Sequence, residues 1–195
     1  LIDTPGFDDT QRKDVDILRE IASYMVATYK SDVRLSGLIY LFAIDNSRLG
    51  GSAARNLRMF QKLVGREGLH STILATTKWD NLEYVTIGEQ RELELISEDG
   101  FWGAMIEHGS KVMRHTRTRE SAMSIVKAIL SNSHPFALKI QEEMVDQRLV
   151  LLDTAAGMQV NKDLIELQQR YQKELDMLKM DMAEVDSEAK REISR

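Results

Sequence analysis

The segment Ser71-Thr72-Ile73-Leu74-Ala75-Thr76-Thr77-Lys78-Trp79-Asp80 decides the fold class. After Ser71 every residue of 71–77 is β-branched or apolar with almost no alternation, the pattern of a strand buried on both faces. Lys78-Trp79-Asp80 follows without a spacer. A carboxylate is therefore predicted at the carboxyl end of a buried strand, the edge where open α/β sheets place their ligands.

Working outward, residues 37–44 form a second continuous apolar run, Gly-Leu-Ile-Tyr-Leu-Phe-Ala-Ile, also expected to be a strand buried on both faces. Between the two runs, residues 53–64 align Leu57, Phe60 and Val64 on a helical face. Upstream, Val15, Leu18, Ala22, Met25 and Tyr29 step by three and four, which predicts an amphipathic helix over 14–29 with Asp14 as N-cap. Downstream, helices are expected over 86–96, 101–107 and 118–130, and a strand over 111–114. Strands alternating with helices imply right-handed crossovers and an α/β, doubly wound parallel sheet.

The chain opens Leu1-Ile2-Asp3-Thr4-Pro5-Gly6-Phe7-Asp8-Asp9-Thr10. Two apolar residues before an Asp and a Pro-Gly breaker read as the end of another parallel strand, with Asp3 projecting from the same sheet edge. An ordinary strand followed by a type I or II turn is equally open for this string alone. The same holds for Thr77-Lys78-Trp79-Asp80 as a strand-to-turn junction. Two such loops on one sheet edge are less easily accidental.

Composition narrows the classes. The 195 residues carry 26 basic and 31 acidic side chains, net −5, so no field favours nucleic acid or anionic lipid. With 43% hydrophobic and 29% charged residues the chain suits a folded domain. There is no cysteine, which excludes disulfides and thiolate chemistry and suits a reducing compartment, read here as cytoplasmic. The longest apolar run is too short to cross a bilayer. His70, His108, His115 and His134 lack ligand-like spacing.

A carboxylate at Asp80 can accept two parallel hydrogen bonds from guanine, through N1–H and the exocyclic amino group. Adenine has an acceptor at N1 and no amino group at C2, so it cannot satisfy that fork. Lys78 can lay its aliphatic stem along a nucleotide, and Trp79 is expected to pack under the loop. Asp3-Thr4-Pro5-Gly6 resembles the third GTPase motif and Thr77-Lys78-Trp79-Asp80 the fourth. With Phe7, the combination resembles the septin-like and immunity-associated (GIMAP/Toc-like) branch of P-loop GTPases, and fungal G-domain proteins with helical C-terminal tails look most similar.

The resemblance covers roughly residues 1–134 and implies GTP and GDP as ligands, Mg2+ as cofactor and γ-phosphate hydrolysis as reaction. It makes Asp3 the Mg2+ residue, Gly6 the γ-phosphate sensor, and Thr77, Lys78 and Asp80 the guanine readers. Arg114-His115-Thr116 falls at the fifth motif, where a backbone N–H meets the guanine oxygen, so His115 joins the cofactor-binding set.

The departures are specific. No Gly-x-x-x-x-Gly-Lys-Ser/Thr occurs, and the chain opens inside an expected strand. The expectation is a fragment of a longer protein whose P-loop and central strand lie upstream of Leu1. Phe7 stands where related enzymes carry a water-positioning Gln, so no catalytic residue is assigned. Asp8, Asp9 and Thr10 read as solvated or capping residues, Arg48-Leu49-Gly50-Gly51 as an ordinary or nucleotide-lining loop, and Arg114, Arg117 and Arg119 as a solvated basic face.

After residue 134 no strand is expected. Residues 135–157 read as a helical connector, with one helix over 136–152 and an interruption at 153–157. Residues 158–195 read as an amphipathic helix in which Leu164, Gln168, Tyr171, Leu175, Leu178, Met182, Val185 and Ala189 follow a 4-3 alternation. That seam suits either a coiled coil with another chain or packing against the protein's own domain. Expected partners are guanine nucleotide, a protein partner, and a second copy through the G domain or the tail. A guanine-nucleotide switch is the leading reading and a nucleotide-free pseudo-GTPase scaffold the alternative.

Overall fold

The computed structural model describes residues 1–7, 13–45, 50–97, 101–131 and 134–193, with side chains of the last helix described through Met180 and at Met182. The expectations for Asp8, Asp9, Thr10, Arg48 and Leu49 lie outside the described residues. The chain divides into two compact units, 1–159 and 160–195.

In chain order the first unit holds α1 (Asp14–Lys30), β1 (Leu38–Ala43), α2 (Gly51–His70), β2 (Thr72–Thr77), a 3-10 turn (Trp79–Asn81), α3 (Val85–Ile96), α4 (Gly103–Glu107), β3 (Lys111–Arg114) and α5 (Arg119–Ser131). A short α6 (Lys139–Gln141), a π turn (Glu142–Asp146) and a 3-10 turn (Leu151–Asp153) follow, before α7 (Ala155–Ile193). The strands form one parallel sheet in the order β1-β2-β3, with Leu38 opposite Thr72 and Ile73 opposite Lys111.

Side-chain parity places helices on both faces of this sheet. Ile73 and Ala75 of β2 bury against Ile125 of α5, joined by Ile39, Met113, Ala128 and Ile129. The alternate residues face the other way: Tyr40 packs on Phe60 of α2, ring centroids 4.9 Å apart, and Phe42 meets Trp102 edge-on at 5.8 Å. The architecture is thus α/β with a small parallel sheet between helices.

Two strand expectations need correction. Residues 1–7 form no strand: Leu1 is fully exposed and Ile2 about half exposed. A parallel strand exists only where a neighbour takes its N–H and C=O groups, and the described sheet offers Leu1-Ile2-Asp3 no such partner. β1 is likewise not buried on both faces. It is an edge strand of intermediate burial, with Leu41 65% exposed, whereas β2 between two neighbours is buried along nearly its whole length.

The helices after the sheet also differ from expectation. Residues 136–152 do not form one helix. Gln141 is buried: its amide oxygen accepts from Leu138 N and its Nε2 donates to the Met25 carbonyl of α1, both at 2.7 Å. The backbone then turns through a left-handed Arg148 (φ 59°). Leu35 and Phe136 exchange backbone hydrogen bonds in an isolated antiparallel bridge.

α7 starts at Ala155 and runs through Gly157, a residue that reads in sequence as a breaker. Thr154 Oγ1 accepts from Gly157 N at 3.1 Å, a side-chain N-cap. A Cβ on Gly157 would stand 2.0 Å from the Leu151 carbonyl oxygen, so close approach explains the glycine. At the start of the chain, Lys13 is the N-cap residue of α1 and Asp14 its first helical residue. The buried α1 face is Ile17, Leu18, Ile21, Ala22 and Met25.

Glu142 sits in an acidic setting beside this packing. Burial raises its pKa first, Glu67, Asp146 and Glu143 add to the rise, and Lys139 opposes it. A raised folded-state pKa means the carboxyl favours the fold below its unfolded pKa, and that benefit fades as pH rises through the folded value. Glu142→Gln should therefore stabilise the protein by about 0.5 kcal/mol near pH 7 and by less near pH 4. Urea unfolding at both pH values checks this; an equal difference at both would contradict it.

Candidate functional site at the carboxyl edge of the sheet

β2 delivers its chain to the edge through five buried residues, Thr72 to Thr76. Beyond Thr77, Lys78 takes the left-handed conformation (φ 59°, ψ 35°) and the 3-10 turn begins at Trp79. A non-glycine residue there costs about 1 kcal/mol or more, so the turn must be held from outside.

A four-residue clamp holds it. Thr76 Oγ1 donates to Glu92 Oε1 at 3.1 Å and accepts from Trp79 Nε1 at 3.0 Å. Glu92 Oε2 accepts from Arg114 Nε at 2.8 Å and Nη2 at 2.5 Å. The Arg114 guanidinium then lies 4.2 Å over the Trp79 ring. Glu92 is buried and its charge is met on both oxygens, which is what makes a buried carboxylate tolerable. The same hydrogen bonds with Glu92 raise the Arg114 pKa, and Glu89 adds to this at 3.5 Å.

α3 closes the underside. A Cβ on Gly88 would stand 2.7 Å from Trp79 Cζ3 and 2.5 Å from Leu82 Cδ1, so helix and indole touch only because the side chain is absent. Just beyond β1, Asp45 Oδ2 accepts from Asn81 Nδ2 at 2.7 Å, and Arg91 Nη1 donates to the Ile44 carbonyl at 2.8 Å. The edge is thus tied to all three strands.

The residues expected from sequence fall into two groups. Thr77, Lys78, Asp80 and His115 stand together at this edge. Thr77 Oγ1 is used within the sheet, donating to the Phe42 carbonyl at 3.2 Å. Lys78 is exposed. Asp80 is partly exposed and its Oδ2 accepts from Arg117 Nη1 at 2.9 Å; that bond is the largest cause of a lowered Asp80 pKa. Arg117 is itself left-handed (φ 60°) and exposed, so the pair is solvated.

The His115 backbone N–H donates to the Thr76 carbonyl at 2.8 Å, and Thr116 N–H to Ser121 Oγ at 3.2 Å. Neither is a free loop donor in this arrangement. Nδ1 of His115 lies 2.9 Å from Ser121 Oγ.

Asp3 and Gly6 lie on the exposed opening segment, which a 3.3 Å hydrogen bond from Asn56 Nδ2 to the Phe7 carbonyl ties to α2. Among the described residues no cluster of three or more His, Asp or Glu side chains could hold a metal ion. Asp3 is a single exposed carboxylate, so the described residues do not by themselves fit Mg2+.

Glu92 is the residue that sequence reasoning missed. Its signal was there: on α3 the buried positions are Gly88, Glu92 and Leu95, spaced by four and three, so an acid occupies the apolar stripe of an otherwise charged helix. An acid there implies a cationic partner, which Arg114 supplies. Comparison with known proteins adds nothing further: no family model and no curated protein matches the chain.

Two substitutions test the geometry. Gly88→Ala should destabilise the protein by about 1–3 kcal/mol and change Trp79 fluorescence, because backbone and ring must separate; an unchanged unfolding midpoint would contradict the close approach. Arg117→Ala should raise the Asp80 pKa in a carboxyl NMR titration while leaving the unfolding midpoint unchanged, since an exposed pair contributes little. An unmoved Asp80 titration would show that the pair does not form in solution.

Proposed function

We propose that this chain carries the base-reading part of a guanine-nucleotide-binding switch, with Asp80 as the residue that distinguishes guanine. The observation that supports this most is the Asp80 carboxylate, ionised, partly exposed and mounted on a turn fixed by the clamp, already accepting an N–H at 2.9 Å. A guanine would offer the same kind of donor at N1 and at its amino group. A buried strand ending in a rigid turn gives the fixed geometry that such a two-donor fork requires. Lys78, beside it and exposed, is the cation nearest in sequence to that carboxylate.

In this reading GTP and GDP are the ligands, with Gly6 of the opening segment on the side of the terminal phosphate. Hydrolysis would be slow or assisted by a partner or second copy, because Phe7 cannot orient water. The alternative, a nucleotide-free scaffold, draws support from the exposed opening segment, which forms no strand.

Titration with GDP, GTP, ATP and xanthosine diphosphate tests the proposal. Guanine nucleotides should bind in preference to ATP, weakly, since the chain lacks a phosphate-cradling Gly-Lys-Ser/Thr loop. Asp80→Asn should lower GDP affinity about tenfold or more and raise that for the xanthine nucleotide. Indifference of Asp80→Asn to the base, or no nucleotide affinity at all, would favour the scaffold.

A further inference from the structure

The second compact unit is the greater part of α7, a helix of 39 residues in all and about 58 Å long at 1.5 Å per residue. Between Leu164 and Met182 the apolar residues Leu164, Tyr171, Leu175, Leu178 and Met182, among others, are exposed, from 45% at Leu164 to 72% at Met182. With Gln168 they step by four and three. The repeat is thus about 3.5 residues per turn, against about 3.6 for a straight helix, and it keeps one seam in line only when two helices wind about each other.

We infer that this seam is covered by the same seam of a second copy, in a parallel, in-register coiled-coil dimer. Gln168, Leu175 and Met182 take one seam position and Leu164, Tyr171 and Leu178 the other. One charge pair bears on the orientation, although the next flank positions in the same register, Asp181 and Asp186, are both acidic. Glu174 and Lys179 then occupy opposite flanks of the seam, five residues apart. In a parallel pair each flank of one helix lies beside the opposite flank of the other, so Glu174 meets Lys179 of the second copy, twice by two-fold symmetry. An antiparallel pair sets like flank against like flank and never brings these two together. Gln168 adds a polar layer that costs stability and penalises slipped registers.

Other features of the helix agree. Lys162 pairs with Glu166 at 3.8 Å and Gln172 bonds Asp176 at 2.9 Å, contacts within one helix that leave Glu174 and Lys179 to the second copy. Met177 and Met180 are exposed but fall outside the seam, which supplies an internal control. The inference does not rest on guanine recognition.

Sedimentation velocity of the full 195-residue chain, without nucleotide, over about 1–100 µM tests it. A monomer–dimer equilibrium is expected. Glu174→Lys should weaken the dimer about tenfold by turning two attractive pairs into two repulsive ones, and the Glu174→Lys, Lys179→Glu double variant should restore it to within about threefold. Met180→Lys should leave it unchanged, and far-UV circular dichroism should show helix retained in every variant. A monomer throughout the range would overturn the inference, as would a double variant as weak as the single one or a Met180→Lys effect as large as that of Glu174→Lys.

Discussion

The Glu92 carboxylate is the interaction on which the sheet edge depends. It is buried, charged and shared between the Thr76 hydroxyl and the Arg114 guanidinium. Removing this carboxylate takes from the buried Thr76 hydroxyl its acceptor and from the partly exposed Arg114 its main partner. Because Thr76 also receives the Trp79 indole N–H, one carboxylate fixes the end of β2, the start of the 3-10 turn and the end of β3 at once. The left-handed Lys78 is affordable only in that setting.

Much of the fold was legible because burial leaves a direct mark on composition. β2 is apolar along its length since it has a neighbour on each side, and its expected span was one residue too long. β3 was recognisable at its observed bounds. The apolar run of β1 misled in degree: its residues suit a central strand, yet it stands at the edge of the described sheet, with Leu41 uncovered. Residues 136–152 misled more. Their helical spacing is genuine, but the buried Gln141 and left-handed Arg148 impose tertiary constraints that no local periodicity records. Gly157 reads as a breaker by propensity and is instead a contact residue.

The candidate site was legible in half. Thr77-Lys78-Trp79-Asp80 announces itself by adjacency to a buried strand, and the turn forms there. Asp3 and Gly6 have no comparable support, for their segment lacks a strand partner. Arg117, expected on a solvated basic face, is solvated but also engages Asp80. That contact spans 37 residues in sequence and depends on β2 and β3 ending side by side, so topology rather than pattern creates it. An exposed ion pair is weak enough to be exchanged for a ligand donor without unfolding anything around it. A rigid mount carrying a readily exchanged contact is the combination a reversible recognition site needs.

Glu92 holds the Asp80 turn in place. Hydrogen exchange compared between the parent chain and Glu92→Gln tests it most directly, reading the Trp79 indole N–H and the amides of Asn81, Leu82 and His115. Exchange should be faster at these groups, with the amides of α1 little changed. Uniform acceleration across the whole unit, or none at the turn, would contradict it.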